Sequence, residues 1–414
     1  MLEGKIIKFS REFKGIKQKD LGEGICSTTH ISKIESGITE VSEETIHLLS
    51  QRLGIDLNSE MENYRKIESL LKEWLDAIIK KLQTKAESIK KQLEGINIIH
   101  IQDFYRSYTL ILTRYYLSIG ESHTVHRLIE EMSTWNNLTP YERNMFLHVK
   151  GIYYLNMKHD YVNAINLLHQ IDLNNYSNQE YYYDLAFAYH SLNSRVLAFF
   201  NATKALQFFT EIRSFSRIIE TEMLMLIQIE QSEDSPSISG EYRRLIEMTE
   251  DYGLHHQKAI LHHNLAYLYL RKAQYKEASE YYKKSMDARH LSDPKYLGSL
   301  EGYVNALSKE GKTPKDLLQN LINKGIELSK KESNLTFLHL FTLHYYHLSN
   351  QEEKYYKYLE EIAYPYFQEM GYVLPAEHYA VKLFDYYMEK NETEKANRLA
   401  APLISKLRRN NQFV

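Results

Sequence analysis

Thr28, Thr29, Ser32 and Lys33 crowd one short stretch, with Ser27 and His30 among them. Short hydroxyls and an ammonium at that density suit close contact with nucleic acid. Hydroxyls reach base edges or phosphates, and a lysine donates to guanine acceptors. Upstream, Gln18 stands where a helix would begin, and its amide and backbone N–H groups could meet a phosphate there. The same side chains also read as ordinary exposed helix surface.

A second set lies far along the chain. Asn264 and Asn305 each carry a donor and an acceptor on one side chain, the pair that a peptide backbone needs. Asn has modest helix propensity, so a position inside a helix suggests a side-chain task; the plain alternative is an exposed or packing residue. Asn264 shares a helical stripe with His263, Tyr267 and Arg271, and Asn305 shares one with Glu301. Arg106 and Arg114 could clasp a peptide carboxylate. Tyr183, Asp184, Phe187 and His190 form a further stripe.

Other clusters offer no complete chemistry. His255, His256, His262 and His263 lack a properly spaced carboxylate, and His339, His344 and His347 complete no metal motif. There is no Gly-rich phosphate loop, nucleophile elbow or rationalised carboxylate pair, so no catalytic residue, metal or cofactor is expected. Cys26 is the single cysteine, which excludes an intramolecular disulfide; it reads as a small packing residue rather than a redox sensor.

Helices must position these residues. Leu2, Ile6, Phe9 and Phe13 recur at spacings of three and four and predict a helix over 2–14. Leu21 marks a short helix over 18–24. A third helix, over 27–36, takes Ser27 as its N-cap, turns Ile31 and Ile34 inward and stops at Gly37. Arg11 and Glu35 are expected to pair between the first and third helices. A fourth helix over 43–53 completes a helix-turn-helix unit, in which the third helix enters the major groove. Ile67, Leu71, Trp74, Ile78 and Leu82 then stripe a linker helix, broken near 83. The stripe is expected to pack on the chain itself rather than on a second chain.

Beyond residue 100 a paired-helix pattern repeats at roughly 38 residues, which marks a solenoid. First helices start near 100, 139, 177, 214, 254, 292, 334 and 372. The clearest unit runs Leu265-Ala266, Tyr269, Ala278, Tyr282 and Ser285, the tetratricopeptide order of large, small, Tyr, Ala, aromatic and small. Leu185-Ala186, Tyr189, Ala198, Ala202 and Ala205 repeat it. Gly151 and Tyr154 begin another, but Ala164 arrives one residue late. The expected architecture is all-α: a helix-turn-helix domain over 1–63, linker helices over 64–99, and about eight tetratricopeptide-like pairs over 100–414 in a right-handed solenoid. First helices line the concave face of such a solenoid, where extended peptides bind.

Composition bounds the function. A chain of 414 residues needs more than one core. Net charge is −3, so no global basic field draws it to nucleic acid. The cations are local: Lys5, Lys8, Arg11, Lys14, Lys17 and Lys19 form a candidate phosphate-contacting patch. No leader-like apolar segment or membrane-length apolar run occurs, so a cytoplasmic protein without membrane contact is expected.

The segment Glu23-Gly-Ile-Cys-Ser-Thr-Thr-His-Ile-Ser-Lys-Ile-Glu-Ser-Gly37 resembles the phage-repressor-type (Xre) domain of peptide-pheromone regulators in Firmicutes, the Rap, Rgg, NprR, PlcR and PrgX proteins. Its Ile-Cys turn and Ile-Ser-Lys-Ile-Glu-Ser-Gly run are most similar to the NprR and PlcR branches. The resemblance covers the whole chain in architecture, but only residues 1–55 and the repeat near 254 in motif detail. It implies a quorum-sensing transcription regulator that binds an operator in double-stranded DNA. A re-imported signalling peptide would sit on the concave face, with Asn264 and Asn305 holding its backbone, and would change oligomeric state or DNA affinity. The resemblance also implies a homo-oligomer, a dimer or a tetramer, and a Rap-like alternative or second role in binding a phosphorelay response regulator.

Overall fold

The structure is a computed structural model that describes residues 2–39, 41–229, 237–370 and 373–410. Among these the secondary structure is helical throughout, without strands, and no helix is long and apolar enough to cross a membrane. Two compact units arise, Met1–Ser232 and Glu233–Val414.

The first unit opens with α1 (Leu2–Phe13), α2 (Gln18–Gly22), α3 (Thr28–Glu35) and α4 (Glu43–Leu53). Ser27 caps α3 by accepting the His30 backbone N–H at 3.2 Å, and Ser42 caps α4 in the same way. The inward face of α1 differs from the expected stripe. Ile6 and Ile7 are both fully buried, while Phe13 is 60% exposed. The reason is that α1 is covered on two sides: Ile7 packs with Leu21, Ile31, Ile34, Leu49 and Leu53, whereas Ile6 joins the linker core. A glycine permits the closeness of α1 and α3, since a Cβ on Gly4 would lie 2.1 Å from the Ile34 carbonyl oxygen.

The linker forms α5 (Leu57–Ile79) and α6 (Gln83–Glu94), separated at Lys81, whose φ of 57° is left-handed. Ile67, Leu71, Trp74 and Ile78 are buried against this unit's own helices, with Trp74 beside Tyr108 and Tyr115. Leu82 leaves the stripe and is exposed, because the helix has already ended.

After a 3-10 turn (Asn97–His100) come the pairs α7 (Gln102–Ile119) with α8 (Ser122–Ser133), α9 (Pro140–Tyr153) with α10 (Tyr161–Leu168), and α11 (Tyr181–Ser191) with α12 (Arg195–Glu211). The described part of the unit closes with α13 (Phe215–Ile229). Each of α7, α9, α11 and α13 touches the next, so the first helices form a continuous row. A π turn, Tyr154–Lys158, extends α9. It accommodates one additional residue, which is why Ala164 comes late.

The second unit holds α14 (Ser237–Asp251), then α15 (His255–Arg271) with α16 (Tyr275–Asp287), and α17 (Tyr296–Glu310) with α18 (Lys315–Lys331). Next, α19 (Leu335–Leu348) pairs with α20 (Glu352–Tyr358), which a π turn (Leu359–Ala363) joins to α21 (Tyr364–Glu369). The last pair is α22 (Val373–Glu389) with α23 (Thr393–Asn410). First helices again touch in sequence, α15 to α17 to α19. Leu265, Ala266, Ala278, Tyr282 and Ser285 are buried at the positions the repeat pattern assigns. Tyr282 fills the gap to the next pair: a Cβ on Gly302 would lie 2.3 Å from its ring.

Candidate functional site

The start of α3 is the first candidate. Ser27, Thr28, Thr29, Ser32 and Lys33 are exposed, and His30 is half-buried. The Ser27 hydroxyl is engaged as the cap. Beneath them lies a structural ion pair. Arg11 donates to both Glu35 carboxylate oxygens, from Nε at 2.6 Å and Nη2 at 2.9 Å, and from Nη1 to the Ile16 carbonyl at 3.0 Å. The hydrogen bond to Glu35 raises the Arg11 pKa despite its burial. Gln18 joins this network, its amide donating to Glu35 at 2.8 Å, so that N–H is not aimed at a phosphate. It thereby ties the start of α2 to the end of α3.

The cationic patch is thinner than the sequence implies. Arg11 is buried in its pair; Lys5 bonds Asp103 at 2.7 Å beside Tyr64; Lys14 donates to the Leu53 carbonyl. Arg52, not singled out by sequence, secures the turn by donating to the Leu21 carbonyl at 3.0 Å and to that of Glu23. Lys8, Lys17, Lys19 and Lys33 remain exposed, and no carboxylate pairs with them among the described residues. Cys26 is half-buried and burial raises its thiol pKa, which disfavours the reactive thiolate.

The first-helix row of the first unit is closed by its own charges. Arg114, offered by sequence as a carboxylate clasp, is buried and pairs with Glu180 at 2.5 Å. Arg217 also reaches Glu180, at 3.4 Å, and bonds Glu220 at 3.0 Å, which in turn accepts from Lys81 at 2.7 Å. Tyr183 lies under the Arg217 guanidinium, 4.1 Å from ring centroid to Cζ. Asp184 bonds His148 at 2.8 Å, and His148 bonds the Tyr176 hydroxyl at 2.9 Å. Burial opposes charge on Asp184, but His148, Arg114 and Arg217 outweigh it and hold its pKa below the ordinary value. His190 meets Gln228 at 3.1 Å, Phe187 is 37% exposed, and Arg106 donates to the Asn136 and Asn137 carbonyls at 2.8 and 3.1 Å. Arg114 and Arg217 meet Glu180, and Lys81 meets Glu220, across elements distant in sequence, which no helical period reveals; Arg217 and Glu220 are neighbours on α13.

The second unit is finished otherwise. Asn264 on α15 and Asn305 on α17 are half-buried, and neither side chain has a hydrogen-bond partner among the described residues. Tyr267, one turn from Asn264, is 41% exposed, and Arg271 is exposed at the end of α15. His263 is structural: its Nδ1 lies 3.1 Å from the Ser299 hydroxyl, and burial lowers its pKa to about 4. Glu301 bonds His344 at 2.8 Å, a partner the sequence did not supply. The clustered histidines disperse, with His339 on the Tyr358 hydroxyl and His347 beside the Tyr355 ring.

Residues 7–59 match the helix-turn-helix family. The chain is 26% identical over 409 residues to the transcriptional activator NprA of Geobacillus stearothermophilus, covering 91% of this chain and 96% of that one. Among solved structures, NprR in complex with its cognate peptide NprX is similar at a TM-score of 0.66 and 20% identity, over 83% of this chain and 99% of that one. A Rap protein complexed with competence and sporulation factor is similar at 0.69 and 16%, over 84% and 99%. With a helix-turn-helix at its N-terminus and helix pairs after it, the chain is similar nearly end to end to the transcriptional activator NprA, and in fold to NprR and Rap proteins.

Proposed function

We propose that the chain is a transcription regulator that binds a double-stranded DNA operator through α3 and a short signalling peptide along the first helices of its repeats. Peptide binding alters its oligomeric state or its affinity for DNA. Residues 1–63 read DNA, 64–99 link, and 100–414 sense, all in the cytoplasm. The observation that carries this reading is the exposed row Thr28, Thr29, Ser32 and Lys33 on a capped helix, in a chain that aligns with a transcriptional activator over 91% of its length. Asn264 and Asn305 support the peptide half, as half-buried amides with free hydrogen-bonding capacity. A homo-oligomer, a dimer or a tetramer, suits a helix-turn-helix protein, with half-sites about 34 Å or a multiple apart. A response-regulator role has less support, because the linker stripe is buried within its own unit.

The test is selection of binding sites from random duplex DNA with the full-length protein. Near-palindromic sites whose affinity falls in Lys33→Ala, with unchanged melting temperature, support the reading. Recovery of no preferred sequence, with or without added peptide, overturns the DNA half.

A further inference from the structure

The π turn at the end of α9 is the starting point. In the pairs that follow the repeat pattern, the small residue of the first helix precedes the alanine of the second by twelve positions: Ala186 to Ala198, and Ala266 to Ala278. From Gly151 to Ala164 the spacing is thirteen. The structure places the extra residue in Tyr154–Lys158, which widens into a π turn while Gly151 and Ala164 both stay buried. Such insertions interrupt regular helix hydrogen bonding, and they concentrate at functional sites.

This insertion forms the wall of a cleft of about 510 Å³ between α8 and the end of α9. Its lining includes His126, Glu130, Lys150, Tyr153, Tyr154 and Lys158. The first and last residues of the π turn, Tyr154 and Lys158, are both in that wall. Lys150 lies over the Phe146 ring at 5.9 Å and Lys158 over the Tyr153 ring at 5.6 Å; among the described residues neither pairs with a carboxylate. The one carboxylate in the lining, Glu130, is 3.3 Å from His126 Nε2. Nδ1 of that ring meets the Tyr153 hydroxyl at 2.9 Å. Two ammonium groups against one carboxylate favour an anion.

We propose that this cleft binds a small molecule carrying a phosphomonoester. The cations are lysines, which bind phosphate as point charges. A phosphomonoester near pH 7 carries a charge of about −1.5 to −2, which two lysines match. The volume far exceeds that of a bare phosphate and falls in the usual range for small-molecule sites, roughly 300–1,000 Å³. The tyrosines leave aromatic surface for the body of the ligand. None of these six residues belongs to the DNA or peptide reading, so either can fail without the other.

The test is calorimetric titration of the full-length protein with adenosine monophosphate, inorganic phosphate and adenosine. Saturable binding of the monophosphate, none of adenosine, and a loss of at least about tenfold in each of Lys150→Ala and Lys158→Ala are expected. Glu130→Gln tightens binding by a few-fold. Deleting Asn156, which is exposed within the π turn, restores the twelve-residue spacing and abolishes binding; a melting curve checks that this variant folds. Equal affinity for inorganic phosphate keeps the site and assigns it to free phosphate. No saturable binding of either phosphate compound, or binding unchanged in the double lysine variant, overturns the proposal.

Discussion

The first-helix rows of the two units solve the same packing problem with opposite chemistry. In the first unit, buried cations Arg114 and Arg217 are matched by Glu180, Glu220 and Asp184, and candidate ligand-binding groups are used up internally. In the second, histidines are tucked in neutral: burial depresses the pKa of His262, His263 and His339. Asn264 and Asn305 keep unfilled hydrogen-bonding capacity there. A row that satisfies its own charges is built to hold a shape. One that leaves half-buried amides open keeps donors and acceptors to offer.

The comparison breaks most sharply by mutation in the first unit. Glu180→Ala strands the buried Arg114 guanidinium and leaves Arg217 with Glu220 alone, and removing one partner of such a buried pair costs about 3–5 kcal/mol. Urea unfolding measures it; a change below about 1 kcal/mol would mean that the network is solvated rather than structural. Overpacking in the second unit is smaller. Gly302→Ala drives a methyl into the Tyr282 ring and costs about 1–3 kcal/mol, read by the same unfolding curves.

Acid should separate the units. His262 and His263 have folded pKa values near 4, below the ordinary 6.5. The stability they contribute is complete above 6.5 and is lost as pH falls towards about 4, because the unfolded chain takes up protons that the folded one refuses. Asp184 lies below 3.8, so its contribution is lost only at lower pH. In the first unit His190 has a lowered pKa as well. Hydrogen exchange followed from pH 7 to 4 should therefore show α15 loosening before α7, while α11, which carries His190, is not a control; simultaneous loosening of α15 and α7 would remove the distinction.

The smallest effect on stability belongs to the DNA-reading end. Lys33→Ala touches an exposed, unpaired side chain and should leave stability within about 0.5 kcal/mol while weakening DNA binding. A band-shift titration beside a melting curve checks both.

The repeats were legible because small residues recur where helices must touch: Ala266, Ala278 and Ser285 are all buried. The cap at Ser27 was legible because capping follows a local rule, and the Arg11–Glu35 pair because a helix-turn-helix unit lays its first helix against its third. Ile7 was missed since a single stripe was assumed for a helix covered on two sides. The ion network was not legible, because Arg114 and Glu180 lie 66 positions apart and their pairing leaves no period. The late Ala164 was a visible signal whose cause, a π turn, needed the backbone. Lys5 and Lys14 of the N-terminal patch were misread because charge composition does not show which cations the fold itself uses.

Calorimetric titration of the full-length protein and of Asn264→Ala, with the tightest binder from a random short-peptide library, tests the central claim most directly. Saturable binding that Asn264→Ala loses while its melting temperature holds is the predicted result. A variant that binds as the parent does, or a parent that binds no peptide in the library, would contradict the assignment of the second unit's open amides to a peptide backbone.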